Sequence, residues 1–291
     1  MDKYIIIIGA MKSGTTTVFE VLAQHSQIAP AMNKEPGFFA FDTIWEKGYQ
    51  WYHSLFNFDP DRHIYRLEAS TDYTKAPFVK NVWTRMCASP NKEFKLIYVM
   101  RDPIRRMESH ARHTQDSRKE LGQITSLRTS HSLDEGLSLL SMSTSQYAYQ
   151  LSHFTDAIAS NSIHFVLFEE LCRDPKRVFS DLFSFLELGV ENISDTLPQY
   201  NVAAEKKRLV PIWAQLSSNR SLTTAGRLII PRVLRNLIKD SFRRKIKISG
   251  RFTFSQPEKE ALGAFFNDDV SELSQKYGIR IPKEWKIPNG D

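Results

Sequence analysis

The chain has 291 residues, 41% of them hydrophobic and 25% charged, which is enough apolar content to bury a large α/β core. Its formal charge of +6 suits an anionic ligand, but 33 acidic residues stand against 39 basic ones, so composition alone does not point to nucleic acid. Two isolated cysteines, Cys87 and Cys172, exclude a disulfide framework and a cysteine-based metal site, and no apolar run reaches the length of a membrane span.

The first element starts by residue 4, which leaves no room for a signal peptide and gives the expectation of a cytoplasmic protein. Ile5, Ile6, Ile7 and Ile8 read as a strand buried on both faces, as in a parallel sheet. The loop Gly9-Ala10-Met11-Lys12-Ser13-Gly14-Thr15-Thr16 follows, and Val18, Phe19, Val21 and Leu22 open a helix expected to run to about His25. A strand, a glycine-bounded turn and a helix in that order make an anion site, because backbone N–H groups and the helix dipole converge on one point. Gly9 and Gly14 have the spacing of a nucleotide triphosphate loop, but the lysine that should follow the second glycine is replaced by Thr15. Lys12 stands inside the loop instead, able to reach a leaving-group oxygen. The alternative is a strand–turn–helix corner that binds nothing.

Further strands are expected at residues 27–32, 63–68, 94–100 and 163–168, with helical patterns between them. The fold expected is therefore α/β: a P-loop-like, three-layer arrangement with a central parallel sheet of about five strands flanked by helices. Each strand ends in polar residues, where open parallel sheets bind ligands: Lys34 and Glu35, Asp72, Arg101 and Asp102, Glu169 and Glu170. The whole chain, 1–291, reads as one domain. Two stretches fit the sheet poorly: 114–144, rich in Ser, Thr and Gln, and 209–248, with a run of Arg and Lys from Arg220 to Arg244. Both read as irregular or helical insertions on the acceptor side, the basic run as a solvated helical face. A cap at Ser255, Pro257 and Glu258 then begins a last helix with a buried stripe at Leu262, Phe265, Phe266 and Leu273.

Arg101 leaves the end of a buried strand and Pro103 can start a helix, which brings Ser109 to the second turn. A guanidinium and a hydroxyl so placed can hold one phosphate. The other reading has Asp102 capping the helix and Arg101 paired with an acid. Taken together, the loop and this segment make the chain resemble the sulfotransferase superfamily, whose donor is 3′-phosphoadenosine 5′-phosphosulfate (PAPS). That family's G-x-x-[KR]-[SG]-G-[TS] loop stands here at residues 9–15, and its R-[DN]-P-x-x-R-x-x-S segment at 101–109. The likeness extends to Ser145-Gln146-Tyr147, Phe168-Glu169-Glu170-Leu171, Asp268-Asp269 and Trp285.

The resemblance implies that Lys12, Ser13, Gly14, Thr15 and Thr16 hold the 5′-phosphosulfate and that Arg101 and Ser109 hold the 3′-phosphate. A third donor element would be Lys247-Ile248-Ser249-Gly250-Arg251, with Gly250 and Arg251 as its contacts. Lys34-Glu35-Pro36-Gly37-Phe38-Phe39 is similar to the K-E-x-H-F-F run of heparan-sulfate-type enzymes, which makes Glu35 the base, Lys12 its partner at the leaving group and Asp72 the first substitute, with His110 behind it. Gly37 and Ala69 replace the histidine and lysine of those enzymes, and no histidine occupies the position after the third strand that the phenol and steroid type uses. The resemblance then implies a PAPS-dependent sulfotransferase that releases adenosine 3′,5′-bisphosphate, requires no metal and modifies a hydroxyl or amino group of a small-molecule metabolite, as in natural product modification. The alternatives are sulfation of a carbohydrate or glycolipid, a P-loop kinase or NTPase, and a non-enzymatic polyanion-binding module. The kinase would need a metal-binding aspartate, and nucleic-acid readers carry aromatic or zinc motifs that are missing here.

Overall fold

The computed structural model describes residues 1–120, 136–190, 207–209, 243–245 and 253–285, with side chains for 1–112, 140–190 and 253–285. The isoleucine run forms β1 (Asp2–Gly9), followed by α1 (Thr15–Leu22), β2 (Ile28–Pro30), α2 (Asp42–Trp45), α3 (Gly48–His53) and β3 (Tyr65–Glu68). Then come α4 (Val82–Cys87), β4 (Lys92–Met100), α5 (Pro103–Glu120), α6 (Gly136–Ser145), α7 (Tyr147–Leu151), α8 (Thr155–Ala159), β5 (Ile163–Leu167), α9 (Phe168–Arg173) and α10 (Pro175–Phe185). The last described elements are β6 (Lys207–Leu209), β7 (Arg243–Lys245), α11 (Gln256–Gln275) and a 3-10 turn (Lys283–Trp285).

The main sheet has five strands in the order β2-β3-β1-β4-β5, and every pair within it is parallel. This is the α/β arrangement expected from the sequence. Ile5 to Ile8 are fully buried because both faces of β1 are covered, and each side chain contributes about 1.5–3 kcal/mol. Alternation along the strand sorts them: Ile5 and Ile7 pack with Val18, Leu22, Phe179 and Leu182 on one face, whereas Tyr4, Ile6 and Ile8 meet Phe38, Tyr52, Tyr147 and Leu273 on the other. Helices α1 and α10 therefore cover one side of the sheet, and α3, α7 and α11 the other.

By contacts the chain divides into one unit of residues 1–198 and 252–291 and a second of 199–251. In the second unit β6 and β7 form an antiparallel ribbon, so Leu209 and Arg243–Lys245 are strand rather than the helical face expected there. The rest of 209–248 lies outside the described residues. Of 114–144, the two ends are helical, in α5 and α6. Two smaller expectations change. Helix α1 stops at Leu22, and Phe265 is 44% exposed, because Leu262, Phe266 and Leu273 already fill the face of α11 that meets the core. The expected cap of α11 is present: Glu258 Oε2 accepts from Ser255 N at 2.7 Å and Oγ at 2.6 Å.

Candidate active site

The first loop is shaped by what its glycines exclude. At Gly9 (φ +154) a Cβ would stand 2.0 Å from Thr74 Oγ1, which donates to Ile8 O at 3.0 Å. At Gly14 (φ +93), the N-cap of α1, a Cβ would meet the Phe168 ring at 2.8 Å. Between them Lys12 takes a left-handed backbone (φ 73), and Ala10 N donates to Val99 O at 2.7 Å, tying the loop to β4. No side chain caps α1 and its first turn holds no acid, which suits an anion at that end of the helix. Ser13 is fully buried and its Oγ lacks a well-formed hydrogen bond, with the Tyr147 hydroxyl as its polar neighbour.

Parallel pairing of β1 and β4 brings Arg101 to this loop. Its Nη1 donates to Lys12 O at 3.4 Å, its guanidinium lies 4.5 Å from the centre of the Phe168 ring, and its Nε is buried with no hydrogen-bond partner. Burial holds its pKa below the usual arginine value, with Glu169 acting the other way. Ser109 is half-buried on the second turn of α5, as the spacing requires. Asp102 does cap that helix, accepting from Arg105 N at 2.9 Å, while its own N–H donates to Glu169 Oε1 at 3.0 Å. The capping alternative is correct for Asp102. Arg101, for its part, bonds a carbonyl and leaves Nε open.

Arg106 is the residue whose role the motif conceals. It is fully buried, donating from Nε to Ser145 Oγ at 2.6 Å, from Nη2 to Ser141 O and to Ser141 Oγ at 3.0 Å, and from Nη1 to Met11 O at 3.3 Å. Burial lowers its pKa too. One guanidinium thus ties the phosphate loop to α6. Next to it, Tyr147 OH donates to Arg101 O at 2.7 Å, and Asp269 of α11 accepts from Ala148 N at 3.1 Å and Tyr149 N at 2.9 Å.

The other half of the site lies at the ends of β2 and β3. Glu35 is exposed (44% of its side chain); Lys34 Nζ sits 2.8 Å from Oε1, and Thr71 Oγ1 donates to Oε2 at 3.3 Å. Asp72, on a 3-10 turn at Thr71–Thr74, pairs with Lys75 at 2.5 Å. Gly37 is left-handed (φ +67) with its N–H on Ser70 Oγ at 2.9 Å; a side chain there would meet Phe41. Ala69 is fully buried, and its N–H donates to Lys34 O at 2.8 Å. His110 is buried in α5. Gly250 and Arg251 lie outside the described residues.

A carboxylate with a raised pKa, Glu68, lies behind this half. It is fully buried, and burial pushes its pKa up to about 7 against the hydrogen bonds it accepts from Ser70, Tyr73 and Tyr52. Sequence marks it as an acid at a strand end, in a Glu68-Ala69-Ser70-Thr71 run similar to the E-K-T-P segment of heparan-sulfate-type enzymes, but does not show that it is buried. Among the described residues, no group of three or more His, Cys, Asp or Glu is placed to hold a metal ion, and no helix is long and apolar enough to cross a membrane.

A five-stranded parallel sheet with a glycine-bounded loop after its first strand, joined to an arginine at the end of the neighbouring strand, defines a P-loop-like α/β protein. Within that class the chain belongs to the sulfotransferase domain family, which it matches over residues 2–219. It is 31% identical over 187 residues to human heparan sulfate glucosamine 3-O-sulfotransferase 3B1, a match covering 63% of this chain and 45% of that one. It is 25% identical over 200 residues to the bifunctional heparan sulfate N-deacetylase/N-sulfotransferase 1 of Caenorhabditis briggsae, covering 63% and 22%. The chain spans less than half the length of these relatives. A crystal structure of a sulfotransferase from Alicyclobacillus acidocaldarius has the same fold, with a TM-score of 0.63 and 21% identity over 98% of this chain and 99% of that one.

Proposed function

We propose that the protein transfers the sulfuryl group of PAPS to a hydroxyl or amino group of a small-molecule metabolite, releasing adenosine 3′,5′-bisphosphate. The observation that carries this is the join between loop 9–16 and Arg101, with buried polar atoms of Ser13 and Arg101 lacking partners on both sides of it. Buried groups in that state are costly unless a ligand meets them, and two phosphate groups would do so. In this reading Lys12, Ser13, Gly14, Thr15 and Thr16 hold the phosphosulfate, and Arg101 and Ser109 the 3′-phosphate. The acceptor oxygen or nitrogen attacks sulfur in line, and its proton passes to Glu35. The bond from sulfur to the phosphate oxygen breaks, and Lys12 with the loop N–H groups takes up the charge that grows on that oxygen.

Charge favours a small acceptor over a polyanionic one. Lys34 and Lys75, the lysines beside Glu35 and Asp72, are each paired with that neighbouring acid, and position 69 offers only a buried methyl. A cytoplasmic setting belongs to the same reading, and Cys87 and Cys172 are free thiols in keeping with it. The second reading is a carbohydrate or glycolipid acceptor, favoured by the relatives named for heparan sulfate. The test is incubation with labelled PAPS and a panel of sugars, heparan fragments, phenols, alcohols and natural-product amines, in EDTA. Transfer to small molecules supports the first reading, and turnover of heparan fragments alone reverses the order. Magnesium-dependent phosphoryl transfer from ATP would overturn both.

A further inference from the structure

The two segments that carry Glu35, Thr71 and Asp72 are held by a single buried group. Glu68 Oε2 accepts from Ser70 N at 2.9 Å, and Oε1 accepts from Tyr73 OH at 2.6 Å and Tyr52 OH at 3.0 Å. Each of these partners passes the hold on to the residues that follow Glu35. Ser70 Oγ accepts from Gly37 N at 2.9 Å, Tyr73 OH accepts from Phe39 N at 3.3 Å, and the Tyr52 ring stacks on Phe38 at 4.2 Å between centres. Thr71, next to Ser70, then donates to the Glu35 carboxylate itself.

We infer that Glu68 is a positioning residue for the reaction: through Ser70, Tyr73 and Tyr52 it fixes the Glu35 turn relative to the 3-10 turn of Asp72, and so sets where the proton acceptor stands. The chemistry of the group supports this. Only an acceptor-only carboxylate can take two hydroxyls and an amide at once, and a glutamine offers one oxygen where these three bonds use two. A purely structural acid would be satisfied within its own strand, whereas each donor to Glu68 lies on a segment that also contacts residues 37–39. Burial disfavours its charge, so an apolar residue would cost less at this position unless the bonds matter.

The inference rests on Glu35 as the base, and the experiment separates the two. Glu35→Gln, Glu68→Gln and the double variant are compared in single-turnover transfer to the best acceptor of the panel, with calorimetric binding of adenosine 3′,5′-bisphosphate and amide exchange at Gly37 and Phe39. The expected result for Glu68→Gln is exchange at least tenfold faster at those two amides, unchanged bisphosphate affinity and a ten- to hundredfold fall in the transfer rate. The double variant is expected to be no slower than Glu35→Gln alone, because a residue acting through another adds nothing once that other is gone. Unchanged exchange and rate in Glu68→Gln, multiplicative losses in the double variant, or a parallel loss of bisphosphate affinity would each overturn the inference. A wild-type rate in Glu35→Gln would remove Glu35 as base, and exchange at Gly37 and Phe39 would then decide alone whether Glu68 holds the turn. If Glu68→Gln does not fold, Ser70→Ala and Tyr73→Phe each remove one relay. A two- to tenfold slower transfer in them supports the role, and full activity in both overturns it.

Discussion

The two halves of the site are built in opposite ways. At the ends of β1 and β4 the chemistry is mostly backbone and buried, with a loop whose glycines admit no side chain, a guanidinium sealed beneath it and polar atoms left open. At the ends of β2 and β3 the candidate carboxylates, exposed Glu35 and half-buried Asp72, are each paired with a lysine, and the buried acid lies behind them. A shared donor demands one shape, which a rigid backbone supplies. An acceptor that differs from enzyme to enzyme needs exchangeable side chains on a well-held frame.

That contrast breaks first at Glu35. Glu35→Gln is expected to slow single-turnover transfer by about 100- to 10,000-fold while bisphosphate binding stays as in the wild type. Lys12→Ala, on the donor side, should instead lower both. A near wild-type rate for Glu35→Gln would move the search for the base to Asp72 and then to His110.

The next effect in size concerns stability. The pKa of Glu68 is raised to about 7 in the fold, so its titration favours the folded state most below the ordinary glutamate range, and that benefit is lost as pH rises through about 7. Relative to Glu68→Gln, the wild type should lose on the order of 3 kcal/mol between about pH 4.5 and 7, from roughly 1.36 kcal/mol per pKa unit. Denaturant melts at a series of pH values measure this, and parallel curves for the two proteins would contradict it.

On the donor side, Arg101→Ala should weaken adenosine 3′,5′-bisphosphate by roughly 2–3 kcal/mol and hardly touch AMP, since the lost contact is a charge-assisted bond to the 3′-phosphate. Equal losses for both ligands in calorimetry would reassign Arg101. Smallest is Gly14→Ala. A positive φ and the Phe168 ring at 2.8 Å predict a loss of about 1–2 kcal/mol in stability, with weakened donor binding and no change in acceptor preference.

The legible parts of the molecule were the local ones. Ile5 to Ile8, the glycine spacing of the loop and the R-D-P-x-x-R-x-x-S segment each declare themselves within about ten residues, and the five strands follow from short apolar runs. Arg106 could be read as a motif letter but not as the brace of the loop, because Met11 lies 95 residues away in the chain. The Glu68 cluster was hidden for a similar reason: nothing in the spacing of Tyr52, Glu68 and Tyr73 shows that all three turn into one buried point. Phe265 misled because a helical stripe defined by period alone does not say where the covered face ends.

The reach of Arg106 bears on how the protein is made. On a growing chain loop 9–16 precedes by many residues the group that ties it down, Arg106. Its own anchors, Ser141 and Ser145, arrive later still. A nascent chain or fragment that contains the loop but ends before Ser145 lacks a full set of anchors for the brace that holds the loop's shape. Loop 9–16 is thus synthesised well before the brace that completes its shape.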